Sequence, residues 1–362
     1  MTQSLRLKLT KLLIIIICWA IMGFLIGCYD YFVLRSELSA GMSAKFSLSQ
    51  HLFFSIMTGL MGAVMGGSFL VFYVNEKYRD RPYGFTVMAV VLSFIIVVTV
   101  IAVVLAAVVA PLQTGKSFAH PETQKVFRNA LFDPIHLKNI TIWSLVVAVT
   151  QILLQFNTKF GEGNLWNMVR GKYQTPKEEQ RIFMFVDING STSIAEKLGD
   201  EKYHQLLKDY FADLTNPILD NKGEIYQYVG DEIIISWKYK EGYADSNCFD
   251  CFFDMKKEIK KRSVFYSEKY GLVPGFKAGL HFGRVMAGEV GIIKRDITFS
   301  GDVLNTTSRI QGKCKELNAE IIASGDLINA IPLNGKYKVV QLGSIQLRGK
   351  EKEVGLCTVV QV

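Results

Sequence analysis

Four long apolar runs occupy the first 156 residues: Leu12–Leu34, Leu52–Val74, Phe85–Val109 and a shorter one from about Ile135 to Phe156. Each is near or above the ~20 residues a helix needs to cross the hydrocarbon of a bilayer. One such run could be a buried helix of a water-soluble protein, but four in succession read as membrane spans. Hydrophobic residues make up 49% of the chain and mean hydropathy is +0.21. Those values exclude a disordered or collagen-like polypeptide. At 362 residues the chain has room for a second domain.

Charge divides along the same line. Residues 1–159 hold 13 Lys/Arg against 6 Asp/Glu, a net of +7, whereas the rest hold 28 against 27. The excess therefore sits among the apolar runs, where basic residues set membrane orientation. Arg6, Lys8 and Lys11 precede the first run. Lys77, Arg79 and Arg81 crowd the short link between the second and third, and Lys159, Arg170 and Lys172 follow the fourth. These three segments read as cytoplasmic, giving four spans with both termini inside. The nearly neutral C-terminal half shows no basic stripe, which argues against binding a nucleic-acid polymer.

The spans themselves carry little chemistry. Leu25-Ile26-Gly27-Cys28 has the form of a lipoprotein processing box, but the apolar stretch runs on past it. Gly62 and Gly66 form a small-xxx-small pair suited to close helix packing, within the chain or between two copies. Asp30 falls late in the first run, near its outer end, and is assigned no role. Cys248 and Cys251 form a CxxC with no second pair to complete a zinc site, and so read as buried thiols.

Residues 157–180 turn polar and read as a cytoplasmic linker, with a helical stretch at 163–169. From residue 181 the pattern is that of a folded domain. Arg181–Asp187 reads as a buried strand ending in an acid, and Ser191–Lys208 and beyond as a helix. Glu224–Val229 and Glu232–Trp237 read as two strands meeting at Gly230-Asp231, and Asp245–Tyr270 as helical. Phe276–Phe282 and Val285–Val290 read as a strand pair, Asp302–Leu317 as a helix and Glu320–Ala323 as a strand. This order predicts an α+β ferredoxin-like core with extensions.

In such a sheet the first and third strands are central neighbours, so Asp187 and Asp231 converge. Two carboxylates alone would repel; a divalent ion between them removes that cost, and magnesium suits oxygen ligands plus phosphates. After Asp187, the small residues of Ile188-Asn189-Gly190-Ser191-Thr192 bring backbone N–H groups at a helix start close to where phosphates would bind. Together these features describe a two-metal phosphoryl-transfer site.

Three segments, VDINGSTSIAEKLG at 186–199, YQYVGDEIIISW at 226–237 and SGDVLNTTSRI at 300–310, resemble the motifs of class III nucleotidyl cyclases, in family order. The resemblance covers roughly residues 178–362. It implies that Asp187, Ile188 and Asp231 hold two Mg²⁺ or Mn²⁺ ions per site. It implies that Asn305 orients the ribose, that Arg309 stabilises the transition state and that Lys350 holds the triphosphate. Gly190, Ser191 and Thr192 lie at the nucleotide. Asn305 and Arg309 are four residues apart and share one helix face. The family builds its site between two catalytic domains; this chain carries each part once, so the resemblance implies a homodimer.

Base reading departs from the family pattern. Gln227 stands where adenine-specific members usually have Lys, and Thr298 where they have Asp or, in one subgroup, Thr or Ser. An amide both donates and accepts hydrogen bonds, so Gln227 suits adenine and guanine equally; Thr298 resembles the adenylate-cyclase subgroup, and ATP is the expected substrate. A guanylate or pyrimidine nucleotide cyclase is the alternative, and a receptor with a degenerate cyclase domain a second. Residues 229–233 also mimic the GGDEF hairpin of diguanylate cyclases, but lack its Gly at 229 and its Phe at 233. A multi-pass protein of the bacterial inner membrane with a cytoplasmic catalytic domain is the expected setting.

Overall fold

The computed structural model describes residues 3–37, 48–161, 164–333, 335–346 and 353–362. They divide into two compact units, Arg6–Leu165 and Trp166–Val362.

The first unit is helical: α1 (Gln3–Glu37), α2 (Leu48–Gly62), α3 (Tyr83–Thr114), α4 (Pro121–Leu131) and α5 (Pro134–Phe160). Beyond Gly62 the second helix runs on through two π-helical turns, Ala63–Gly67 and Leu70–Val74. Among the described residues, four helical segments are long and apolar enough to cross a membrane: Gln3–Val33, Leu52–Lys77, Tyr83–Thr114 and Pro121–Lys159. The amphipathic α4, between the third and fourth apolar runs, is an addition to the sequence reading.

Glycines set the α1–α2 contact. A Cβ on Gly23 would lie 2.5 Å from the Ser55 carbonyl oxygen, and one on Gly59 2.5 Å from that of Trp19. Gly62 and Gly66 both face the Trp19 ring, at 3.5 Å. The small-xxx-small pair therefore packs within the chain. Trp19 is buried, and its indole N–H donates to Thr150 Oγ1 on α5 at 3.0 Å. Asp30 pairs with Lys138 of α5 at 2.5 Å, so its charge is met inside the unit.

The second unit opens with a short helix, α6 (Asn164–Val169), and then folds around a sheet. Its elements are β1 (Lys177–Ile188), α7 (Ser191–Leu198), α8 (Asp200–Asp220), β2 (Glu224–Val229) and β3 (Glu232–Lys238). Next come α9 (Asn247–Lys261), α10 (Ser263–Tyr270), β4 (Phe276–Val290), β5 (Asp296–Ser300) and α11 (Asp302–Gly312). The chain closes with β6 (Ile321–Ser324), α12 (Gly325–Ala330), β7 (Tyr337–Gln346) and β8 (Glu353–Gln361). Among the described residues the strand order is β2-β3-β1-β4-β6-β8-β7, with β5 paired to β4. The first four of these strands have the ferredoxin-like order, β1 lying between β3 and β4 and antiparallel to both.

β1 is covered on both faces, which is why it reads as a continuous apolar run. Ile182, Met184, Val186 and Ile188 join Leu206, Tyr210, Leu214 and Ile218 of α8 and Phe252, Met255 and Ile259 of α9 in the main core. Phe183 and Phe185 point the other way, into a cluster with Ile234, Val285 and Val303. Cys248 and Cys251 are fully buried on α9, and burial raises both thiols, so neither is a reactive thiolate.

Several element boundaries differ from the sequence reading. Phe276–Val290 is one strand rather than two, and its hairpin partner is β5. Gly283 resembles a turn residue, but a Cβ there would lie 2.5 Å from Val303 Cγ2; it is glycine to admit α11. The helix after Ser191 breaks at Gly199, where φ is +76°. The helix from Asp302 ends at Gly312 and gives way to turns. β7 and β8 extend the sheet beyond the last predicted strand.

Candidate active site

Asp187 is the penultimate residue of β1, and Asp231 lies in the tight turn between β2 and β3. Gly230 supplies that turn's positive φ of +63°. Strand pairing sets Asp187 opposite Glu232, the residue after Asp231. Period-2 alternation puts Asp187 on the face of Phe183 and Phe185, away from α8 and α9. Burial and the adjoining Asp231 carboxylate push Asp187 up to about 6. Burial, with the charges of Asp187 and Asp231, pushes Glu232 up to about 7. Asp231 Oδ2 is buried without a hydrogen-bond partner.

These are the marks of carboxylates crowded together and partly buried, and a divalent cation that prefers oxygen ligands fits them. Among the described residues no group of three or more His, Cys, Asp or Glu is placed to hold an ion. Two carboxylates leave room for substrate oxygens, the usual arrangement for magnesium. Ile188 packs in the core, so only its main-chain carbonyl could serve a metal.

The segment after Asp187 turns sharply. Gly190 adopts φ +67°, ψ 31°, and directly precedes α7, whose first residues are Ser191 and Thr192. Tyr203 of α8 lies near Ser191, and its phenol is raised by burial and by the charge of Asp231. It therefore belongs to the acid-lined corner, although nothing in its local sequence marks it.

Asn305 and Arg309 lie on the exposed side of α11, while Val303, Thr306, Thr307 and Ile310 are buried beneath it. The predicted shared face is present. Toward the chain's own Asp187, however, α11 offers a different residue: Gln311 donates through Nε2 to Asp187 Oδ2 at 3.3 Å.

The strands that carry the two predicted base-reading positions meet through the residues next to them. Gln227 is exposed and follows a bulge in β2 at Tyr226, and Thr298 is half-buried on β5, opposite Gly288. Their neighbours meet: the rings of Tyr226 and Phe299 lie 4.9 Å apart, and the Phe299 N–H donates to the Tyr226 hydroxyl at 3.3 Å. Arg181 lies over the Phe299 ring at 4.4 Å. It is 2% exposed and donates to Glu179 at 2.8 Å, Glu224 at 2.7 Å and Ser236 at 3.2 Å. The one available sequence signal was a charged residue at the start of a strand covered on both faces. Lys350 lies outside the described residues.

A sequence model of the family described as "Adenylate and Guanylate cyclase catalytic domain" matches residues 173–358. The curated protein "Adenylate cyclase 2" of Rhizobium meliloti (strain 1021) is 33% identical over 219 residues, 60% of this chain and 60% of the relative. "Adenylate cyclase" of Anabaena cylindrica is 26% identical over 179 residues, 48% of this chain and 35% of the relative. The chain thus spans less than two thirds of the length of either relative. A solved structure of a bacterial light-regulated adenylyl cyclase superposes with a TM-score of 0.52 at 21% identity, covering 60% of this chain and 63% of that one. At that identity the likeness is one of fold.

Proposed function

The chain belongs to the adenylate and guanylate cyclase catalytic-domain family, and from that premise we propose that it is a membrane-anchored enzyme that converts ATP to 3′,5′-cyclic AMP and pyrophosphate. The observation that carries this reading is the pair Asp187 and Asp231, crowded at adjoining strand ends with a buried, unpartnered carboxylate oxygen on Asp231. The acids Asp187 and Asp231 and the exposed Asn305/Arg309 face each occur once in the chain.

In the proposed reaction the ribose 3′-oxygen attacks the α-phosphorus. A new O–P bond forms, the P–O bond to the β-phosphate breaks, the 3′-hydroxyl proton passes to solvent and pyrophosphate leaves. Asp187 and Asp231, with the Ile188 carbonyl, hold two Mg²⁺ or Mn²⁺ ions. Bound there, such ions neutralise the phosphate oxygens and favour the ionised 3′-oxygen. Gly190, Ser191 and Thr192 set the turn and helix start against the phosphates. Arg309 supplies fixed positive charge as negative charge builds on the α-phosphate, and Asn305 orients the ribose. Gln227 and Thr298 read the base, with Lys350 on the triphosphate.

Asn305 and Arg309 are exposed on α11 while Gln311 of the same helix engages Asp187. This supports a site shared between two copies, each lending Asn305 and Arg309 to the acids of the other. The symmetric result is an isologous homodimer with two equivalent sites. Residues 1–156 anchor the enzyme through four spans with both termini cytoplasmic, as in a bacterial inner membrane. Residues 157–180 link the anchor to a catalytic domain at 181–362.

The test is a product assay. The full-length protein in detergent is given Mg²⁺ or Mn²⁺ and each of ATP, GTP, CTP and UTP separately, with mass-spectrometric detection. Cyclic AMP from ATP alone is expected. Another cyclic nucleotide overturns the base assignment, and no cyclic product from any of the four overturns the enzymatic reading.

A further inference from the structure

We propose that Gln311 is a positioning residue of this site: from α11 its amide holds Asp187, so that one helix fixes the acid of its own chain while presenting Asn305 and Arg309 outward. The inference rests on the metal-dependent reading above. It starts from a contact between residues 124 apart in sequence, Gln311 Nε2 to Asp187 Oδ2 at 3.3 Å.

The packing that allows this contact is built into β4. A Cβ on Gly279 would lie 2.4 Å from the Gln311 backbone nitrogen and 2.6 Å from its Cα. A Cβ on Gly283 would lie 2.5 Å from Val303 Cγ2. At Gly279 the atoms in the way are helix backbone, so the missing Cβ lets α11 come down onto the strand; at Gly283 it makes room for the Val303 side chain. β1 pairs with β4 so that Phe185 stands beside Gly279 and Asp187 beside Lys277. Cross-strand neighbours share a face, so Asp187 points to the side on which α11 lies. The glycines and the alternation of β1 together place the amide at the carboxylate.

The residue type suits the task. Asp187 already faces a like charge in Asp231. A Glu at 311 would add one more negative charge to Asp187, Asp231 and Glu232, and a Lys would add a fixed positive charge that competes with a metal. A neutral amide orients the carboxylate and leaves its charge intact. Partners that orient a metal ligand in this way typically govern affinity by 10- to 100-fold. Arg309 and Gln311 are two residues apart, about 200° around a helix of 3.6 residues per turn, so the two lie on opposite sides of α11. A tilt of this helix would move the acid of one site and the arginine of the other together.

The experiment measures Mn²⁺ binding to the full-length protein without nucleotide, by the electron paramagnetic resonance of free Mn²⁺. Wild type, Asp187→Ala, Gln311→Leu and Gln311→Asn are compared, with light scattering to report size. Leu keeps the bulk of Gln but cannot donate, and Asn can donate but is one methylene short. Both are expected to weaken Mn²⁺ binding by about tenfold or more, with unchanged size and a metal-free melting temperature close to wild type. A side chain that merely packs would lower the melting temperature and leave Mn²⁺ affinity alone. Wild-type affinity in both Gln311 variants, with binding lost in Asp187→Ala, overturns this proposal and leaves the metal site standing. No Mn²⁺ binding by the wild type overturns both.

Discussion

Asp187 and Glu232 face each other across the β1–β3 ladder, at the strand ends that flank Asp231. Like charges directly opposite in a sheet destabilise it. Burial, then the charges of Asp187 and Asp231, push Glu232 up to about 7, while burial and Asp231 push Asp187 up to about 6.

A pH dependence of defined sign follows. Both groups are raised above their ordinary values of 3.8 and 4.5, so the folded chain binds more protons than the unfolded one between about pH 4 and 7. Metal-free stability contributed by this pair is present at low pH and falls as pH rises through that window. Mn²⁺ should therefore raise the melting temperature more at pH 7.5 than at pH 5. In Asp231→Asn the neighbouring charge is gone, so the metal-free decline should flatten and the Mn²⁺ effect shrink. A Mn²⁺ shift of equal size at both pH values would contradict the assignment.

Asp231→Ala should reduce cyclic-nucleotide formation by roughly 10³-fold or more, the several kcal/mol that bound metal supplies to such a transfer. Its size by light scattering should not change. Near-full activity in this variant would refute the metal assignment.

Mixing two inactive variants tests the shared site. Asp187→Ala and Arg309→Ala should each be inactive as purified. Co-expressed in equal amounts, random pairing makes about half the dimers mixed, each with one intact site, so roughly a quarter of wild-type activity should return. Activity that stays at the level of the single variants would mean that each chain completes its own site.

In the helical unit, Gly59 and Gly62 should respond differently to the same methyl group. At Gly59 it would lie 2.5 Å from the Trp19 carbonyl oxygen, whereas at Gly62 it meets the Trp19 ring at an ordinary 3.5 Å. Gly59→Ala should cost about 1–3 kcal/mol of stability in detergent, and Gly62→Ala about 0.5 kcal/mol or less. Equal melting temperatures would argue against the α1–α2 contact.

Arg181 is buried and hydrogen-bonded to Glu179, Glu224 and Ser236. Arg181→Ala removes the guanidinium that pairs with half-buried Glu179 at 2.8 Å, leaving Glu179 only the more distant Lys172, and uncovers the Phe299 ring. Losing one partner of a buried pair typically costs about 3–5 kcal/mol, readable as a drop in denaturant midpoint. A loss below about 0.5 kcal/mol would show the network to be dispensable.

Most of this organisation is local and legible in the sequence. Apolar runs long enough to span a bilayer, a buried strand ending at Asp187, and two strands turning at Gly230-Asp231 are each encoded within a couple of dozen residues. The i,i+4 spacing of Asn305 and Arg309 likewise announces a shared helix face. Glycine was the misleading residue. Gly283 resembles a turn but sits mid-strand beneath Val303. Gly62 and Gly66 left two packing partners open until Trp19 was seen against them. In each case the reason for glycine is an atom distant in sequence.

The sequence by itself determined which segments are apolar, where the strands carry acids, and which residue types stand ready for phosphates and a base. Only the tertiary structure decided that Gln311 meets Asp187, that Arg181 lies against Phe299, and that Tyr226 joins β2 to β5. The physical reason is one of range. Periodicity and turn chemistry act between near neighbours, whereas these contacts join residues brought together by strand order, sheet face and the close approach that a missing Cβ allows.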